Sequence, residues 1–421
     1  MIILCVFYLS SLIIFHKNQT IMTDINEILK TSALGTKVIW AGEGKQFWER
    51  AAQVPVAFSV SYRYDTVDEL INVVNEDMYG HIYGRNSNPT VSVLEEKITV
   101  LEKGAEACNC FPTGMGAISN TLLTFLKPGD RVVSITDTYG GTAKMFLKFL
   151  PDIDIDCVLC DTTDEEQILD EISKGCKVLY LESPTNPTLK ILDIEKLATA
   201  GHEAGAIVIA DNTFSTPVNQ APLTLGADLV VYSCTKYLNG HSDVLGGAVA
   251  GPKDLVKKIY HYREIHGTTL DPMSAYLIMR GLKTLDLRMK KHNENAMKIA
   301  TFLCDEPDVK DVFYPGLPTH LNHDIAKKQM NGYGGMVSFT LKDYNTAKRF
   351  CENLGLAHNA ASLGHVESLV SLPKTSSHVE CTEEERKQLG IDEGLVRYST
   401  GIEDADDLIS DIRQAIKISN P

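Results

Sequence analysis

A surplus of basic residues is missing from this chain. Its 421 residues include 40 lysines and arginines against 55 aspartates and glutamates, a formal net charge of −15. Binding nucleic acid needs a basic face that neutralises phosphates, and here the basic residues are scattered among acids. No nucleic-acid partner is expected. A disulfide framework is missing as well, because the ten cysteines follow no regular spacing. Cys108-x-Cys110 and Cys157-x-x-Cys160 are the closest pairs, and no second Cys or His pair completes a metal site beside either. Cys157 and Cys160 sit in the apolar run IDCVLC and read as buried structural thiols. No metal is expected, and the reducing cytoplasm suits such a chain.

Long apolar runs are scarce too. The one concentrated stretch is MIILCVFYLSSLIIF at the very start, short of the roughly 20 residues that a membrane helix needs. It lacks the basic start and small-residue cleavage site of a signal peptide. Met22 opens a second, polar start, TDINEILK. Residues 1–22 are therefore read as an extension the mature protein can do without, with Met22 as initiator; a membrane anchor is the alternative.

What is present is ordinary core material, 44% hydrophobic and free of repeats, enough for two or three domains. Residues 23–90 read as an N-terminal arm, turn-rich and ending in GHIYGRNSNPT. From about Ala105 the apolar runs ACNCF, RVVSIT, IDCVLC, KVLYLES, AIVIADN and DLVVYS alternate with amphipathic stretches. That rhythm predicts an α/β fold, a mostly parallel sheet covered on both faces, over a large domain of residues 91–270. Beyond it, the long helical pattern LRMKKHNENAMKIATFL, the strands VKDVFYP, GGMVSFTL and GLVRYSTG and a closing helix predict a smaller α+β domain over 271–421.

Ligands of parallel sheets bind beyond the carboxyl ends of the strands, so the residues there matter most. They are Thr113-Gly114-Met115-Gly116, Asp137-Thr138-Tyr139, Ser183 to Pro187, Asp211-Asn212-Thr213 and Ser233-Cys234-Thr235-Lys236. Singly, each has an ordinary explanation as a turn, a cap or a snorkelling side chain. Together they place a glycine-rich helix start suited to phosphate, an aromatic hydroxyl, a buried acid and a buried lysine at one crevice. Such a set suits an aldehyde cofactor bearing a phosphate and a pyridine nitrogen: a lysine of depressed pKa for the aldehyde, a carboxylate for the ring nitrogen.

In six motifs and two further ones, the sequence resembles the Cys/Met-metabolism branch of the fold-type I enzymes that use pyridoxal 5′-phosphate (PLP). The motifs are GHIYGRNSNPT, TGMGAI, DTYGGT, LESPTNPT, ADNTF and SCTKYLNGHSD, followed by SLGHVESL and GLVRYSTGIED. The resemblance covers the chain from about Val54 onward. It implies that Lys236 holds the cofactor aldehyde and shuttles protons, and that Asp211 pairs with the pyridine nitrogen. It further implies that Ser233, Thr235, Gly114 and Met115 bind the phosphate, joined by Tyr83 and Arg85 of a neighbouring subunit. Tyr139 would stack on the ring and act as acid or base, and Arg397, Ser362 and Asn186 would hold the substrate carboxylate. The implied assembly is a dimer with shared sites, usually paired into a tetramer.

The branch works at the γ-carbon of homoserine-type and sulfur amino acids, in trans-sulfuration and methionine or cysteine metabolism. Methionine γ-lyases of the branch typically carry cysteine where this chain has Gly141. Enzymes that handle cystathionine commonly carry glutamate where it has Ala361. The expectation is a cystathionine γ-synthase-like replacement on an O-acylhomoserine. The alternative is a γ-lyase acting on methionine, homocysteine, cystathionine or canavanine, and the outsider is a catalytically silent binding protein of this fold.

Overall fold

The six apolar runs form strands β1 (Ala107–Phe111), β2 (Arg131–Ile135), β3 (Asp156–Cys160), β4 (Val178–Glu182), β5 (Ile207–Asp211) and β6 (Leu229–Ser233). The computed structural model describes residues 25–43, 50–376, 379 and 383–420; the apolar segment 1–22 lies outside them. A seventh strand, β7 (Gly247–Gly251), has the sequence GAVAG and too little bulk to stand out in the chain. The sheet order is β1-β7-β6-β5-β4-β2-β3. Neighbours from β6 to β3 pair in parallel, and β7 runs antiparallel to both β6 and β1. Every residue of β4 is buried, as expected of a strand covered by helices on both faces.

Helix α1 (Gly114–Phe125) packs on β6 and β7, and its Ala117, Ile118 and Leu122 join Val231 and Val249 in one core. On the opposite face Ile168, Leu197 and Ala198 close over Leu179, Leu181 and Val208. The long helix α2 (Leu285–Cys304) leads into a second sheet of β8 (Asp311–Phe313), β9 (Met336–Thr340), β10 (His358–Asn359), β11 (Leu369–Ser371) and β12 (Leu395–Ser399), in the order β10-β11-β12-β9-β8. Ala296, Ile299 and Leu303 of α2, with Leu408 and Ile412 of α3 (Ala405–Ser419), bury Val337, Phe339 and Val396.

The arm differs from its turn-rich appearance in the sequence. It contains the short helices Ile25–Thr31, Leu34–Trp40 and Val67–Val74. Helices this short gain their stability from packing rather than propensity. Leu29, Val38 and Val73 are the buried anchors.

Candidate active site

Strand β1 leads through Pro112 into Thr113, whose hydroxyl caps α1 by accepting the Gly116 N–H at 2.9 Å. Helix geometry leaves the N–H groups of Gly114 and Met115 without an intrahelical partner. A Cβ on Gly114 would stand 2.8 Å from the Ser233 Cβ, so the helix start and the end of β6 approach this closely only with glycine there.

After Ser233 the chain turns. The Lys236 N–H donates to the Ser233 carbonyl at 3.2 Å, and Thr235 Oγ1 accepts the Gly246 N–H at 3.0 Å. The turn is held from behind by Arg288 of α2, which donates to the carbonyls of Tyr237 at 2.7 Å and Leu238 at 3.3 Å. These contacts aim Lys236 inward, and its Nζ donates to Ser362 Oγ at 3.0 Å. Burial, reinforced by the Arg397 guanidinium, pulls the amine down to about 8.

Asp211 ends β5 and accepts the Thr213 N–H at 2.9 Å and the Tyr180 hydroxyl at 3.2 Å. Burial pushes its carboxyl up, and among the described residues it has no ion-pair partner. Glu182, at the end of β4, accepts the Tyr139 N–H at 2.8 Å. Arg397 on β12 is 5% exposed, donates to Asn186 Oδ1 at 3.1 Å and lies 3.4 Å from the Ser362 carbonyl. Burial draws its guanidinium down to about 10. Among the described residues it has no carboxylate partner.

Ten of the expected residues line one cavity of about 410 Å³: Gly114, Met115, Tyr139, Asn186, Asp211, Ser233, Thr235, Lys236, Ser362 and Arg397. Tyr83 and Arg85 stand elsewhere. Tyr83 is 45% exposed and bridges to Ser61, while Arg85 lines a separate groove with Asn88 and Pro272. A larger cavity of about 570 Å³, walled by Thr188, Lys190, Cys304 and His320, contains none of the expected site residues. Sequence reasoning missed Glu182, although it showed a sign like that of Lys236: Glu182 ends an otherwise uncharged, buried strand, and Lys236 stands three residues past the end of another. It also missed Arg288 and Tyr180, for which the sequence offers no comparable sign.

The donor set suits PLP. The Gly114–Ser233 cradle offers N–H groups and hydroxyls for a phosphate, a buried carboxylate awaits a cation, and a buried amine of lowered pKa lies in the same cavity. Fold and site together define a PLP-dependent enzyme of fold type I.

The match is narrower than the fold. The family model for the Cys/Met metabolism PLP-dependent enzymes matches residues 35–417, and the chain belongs to that family. It is 42% identical over 392 residues to the L-methionine gamma-lyase of Fusobacterium nucleatum subsp. polymorphum, covering 92% of this chain and 99% of that one. Identity to the cystathionine gamma-lyase of Bacillus subtilis is 45% over 339 residues, covering 80% of this chain and 89% of the relative. Among solved structures, the cystathionine gamma synthase of Xanthomonas oryzae pv. oryzae in complex with cystathionine superposes with a TM-score of 0.87 at 36% identity, covering 92% of this chain and 98% of that one.

Proposed function

We propose that this enzyme works at the γ-carbon of a homoserine-type or sulfur amino acid, and that its reaction is a cystathionine γ-synthase-like replacement in which a thiol takes the place of the acyloxy group of an O-acylhomoserine, the Cγ–O bond breaking and the carboxylate leaving. The observation that carries an amino-acid substrate is Arg397. A buried guanidinium without a carboxylate is costly, and its cavity is shared with the Lys236 amine. An α-carboxylate from the substrate compensates that charge in a fork geometry that Asn186 helps to hold.

In this reading Gly114, Met115, Ser233 and Thr235 hold the phosphate, Asp211 the pyridine nitrogen and Tyr139 the ring face. Bound PLP supplies an electron sink for charge developing next to the substrate nitrogen. Lys236 would hold the cofactor aldehyde until the substrate amine takes its place, and its freed amine, near 8, would then take the Cα proton and return protons to the substrate. Ser362 steadies that amine through its hydroxyl, while its carbonyl faces Arg397. The Tyr139 phenol, 47% exposed at the cavity mouth, donates to the departing γ-substituent. Tyr83 and Arg85 complete the phosphate site of a neighbouring subunit. Phe58, Val60 and Tyr79, 66%, 58% and 72% exposed, are apolar surface for that neighbour to cover, in a dimer and then a tetramer. The eight cysteines among the described residues are free thiols, which supports a cytoplasmic setting.

A γ-lyase acting on methionine, homocysteine, cystathionine or canavanine is the second reading, supported by similarity to the L-methionine gamma-lyase and the cystathionine gamma-lyase named above. A silent binding protein is disfavoured by the intact set Lys236, Asp211, Tyr139 and Arg397. The deciding experiment offers O-acetylhomoserine, O-succinylhomoserine, methionine, cystathionine and canavanine, with and without cysteine, and measures cystathionine and 2-oxobutanoate. Cystathionine from an acylhomoserine plus cysteine supports replacement. A 2-oxo acid whose yield ignores cysteine supports the lyase, and turnover of no donor by PLP-loaded protein refutes both.

A further inference from the structure

Behind the cavity wall, four side chains join in one line. Lys236 Nζ donates to Ser362 Oγ at 3.0 Å, Ser362 Oγ lies 3.2 Å from His365 Nε2, and His365 Nδ1 bonds the Ser242 hydroxyl. His365 is 5% exposed and is not among the residues lining the cavity. Ser242 has φ of +59°, a left-handed conformation uncommon for serine, and its hydroxyl fixes the far side of the imidazole.

A serine hydroxyl beside an amine can accept an amine N–H or donate to the amine lone pair. Donation occupies the lone pair that a base needs. We propose that His365 is a positioning residue that decides between these two states: its Nε2 accepts the Ser362 O–H, so Ser362 only accepts from Lys236 and the lysine lone pair stays free for the substrate Cα proton. Ser242 then accepts the Nδ1–H and holds the ring in the tautomer required. The proposal rests on the reading of Lys236 as the base.

The ring's charge state agrees with this role. Burial, and next the Lys236 ammonium, hold the imidazole down to about 4, with Arg288 acting in the same direction and Glu367 and the Thr235 carbonyl opposing. His365 is therefore neutral at physiological pH and keeps one acceptor nitrogen.

The test is made on the PLP-loaded protein. With 15N-labelled histidine, and His365 assigned by comparison with His365→Gln, the Nε2 resonance should be that of an unprotonated nitrogen between about pH 6 and 9. An Nε2–H tautomer overturns the proposal. A second measurement follows exchange of the Cα proton of L-norvaline, which has no γ-leaving group, for solvent deuterium. His365→Leu should slow exchange about tenfold, the worth of one hydrogen bond, with the norvaline half-saturation unchanged. The Gln variant, whose amide oxygen can accept the same O–H, should recover most of that rate. Exchange at the wild-type rate in both variants overturns the proposal, and if neither variant folds, His365 is assigned through its backbone-to-side-chain NMR connectivities and the wild-type tautomer decides. Lys236→Ala separates the two readings: if it exchanges normally, the assignment of Lys236 as base has failed instead.

Discussion

Glu182 stands beside Asp211, paired with it Cα to Cα on the adjacent parallel strands β4 and β5. Both carboxyls are buried. Burial pushes both up, and the charge of Asp211 pushes Glu182 further, well above the carboxylate range. In the proposed function two acids so close divide their roles: Asp211 would carry the charge that faces a pyridinium, and Glu182 would stay protonated while holding the Tyr139 N–H. Glu182→Gln, an uncharged isostere, should therefore keep PLP with little change in absorbance or affinity. Asp211→Asn should weaken PLP and slow turnover by at least about tenfold, the effect of losing one charged partner. Equal damage from both substitutions, measured by cofactor titration, would contradict this division.

Lys236 predicts a pH dependence of the cofactor-free protein. Its amine titrates near 8 when folded against 10.5 for an ordinary lysine. Between these values the unfolded chain binds more protons than the folded one, so this group makes stability rise with pH there. Below about pH 8 its full cost is present. Lys236→Met should stabilise the apo-protein at pH 7 by on the order of 1–3 kcal/mol, with the gain shrinking towards pH 10.5. Paired chemical denaturations across that range check it, and a gain that widens with pH would count against the buried amine.

Arg397→Lys preserves the charge but not the fork. Its expected effect is a rise in KM of roughly 10- to 100-fold for any amino-acid substrate, the worth of a charge-assisted hydrogen bond, with PLP retention unaltered. Steady-state kinetics beside cofactor titration separate the two, and an unchanged KM would remove Arg397 from the carboxylate site.

Gly141 leaves no room for a side chain. A Cβ there would lie 2.8 Å from Tyr139 Cε1 and 2.9 Å from Met115 Sδ. Gly141→Cys should displace the Tyr139 ring, lowering kcat about tenfold or more if the phenol is the acid and perturbing the PLP absorbance. A variant with native spectrum and kcat would show that the site tolerates the bulk.

Arg85 lies outside the cavity of its own chain, so its proposed role needs a second subunit. Arg85→Ala should weaken PLP retention, and mixed oligomers of Arg85→Ala with Lys236→Ala should regain activity absent from Lys236→Ala alone. Such rescue arises because pairing the two puts both defects into one site and leaves the other intact. Dialysis against buffer and activity of the remixed subunits are the measurements. No rescue would confine each site to one chain.

Much of this architecture is legible in the chain. Strands β2, β4, β5 and β6 are short, largely apolar and rich in Val, Ile and Leu, because burial on both faces removes the need for polar alternation. Strand β7 is not legible: GAVAG consists of small residues, and Gly247 packs directly on the Thr113 carbonyl, a demand for space that leaves no hydrophobic signature. The arm's short helices were hidden for a related reason. Their buried anchors Leu29, Val38 and Val73 mean something only against the surfaces they meet.

What the sequence by itself determined is the chemistry of the strand ends. A parallel sheet brings successive carboxyl ends to one edge, so Gly114, Tyr139, Asp211, Ser233 and Lys236 could be grouped without coordinates. Tertiary structure alone decided which groups meet across the fold. Ser362 reaches Lys236 over 126 residues and Arg397 reaches Asn186 over 211; Glu182 settles beside Asp211, and His365 behind Ser362. Such contacts leave no periodic trace in a chain, because they depend on which strands become neighbours in the first sheet and on how the second sheet packs against it.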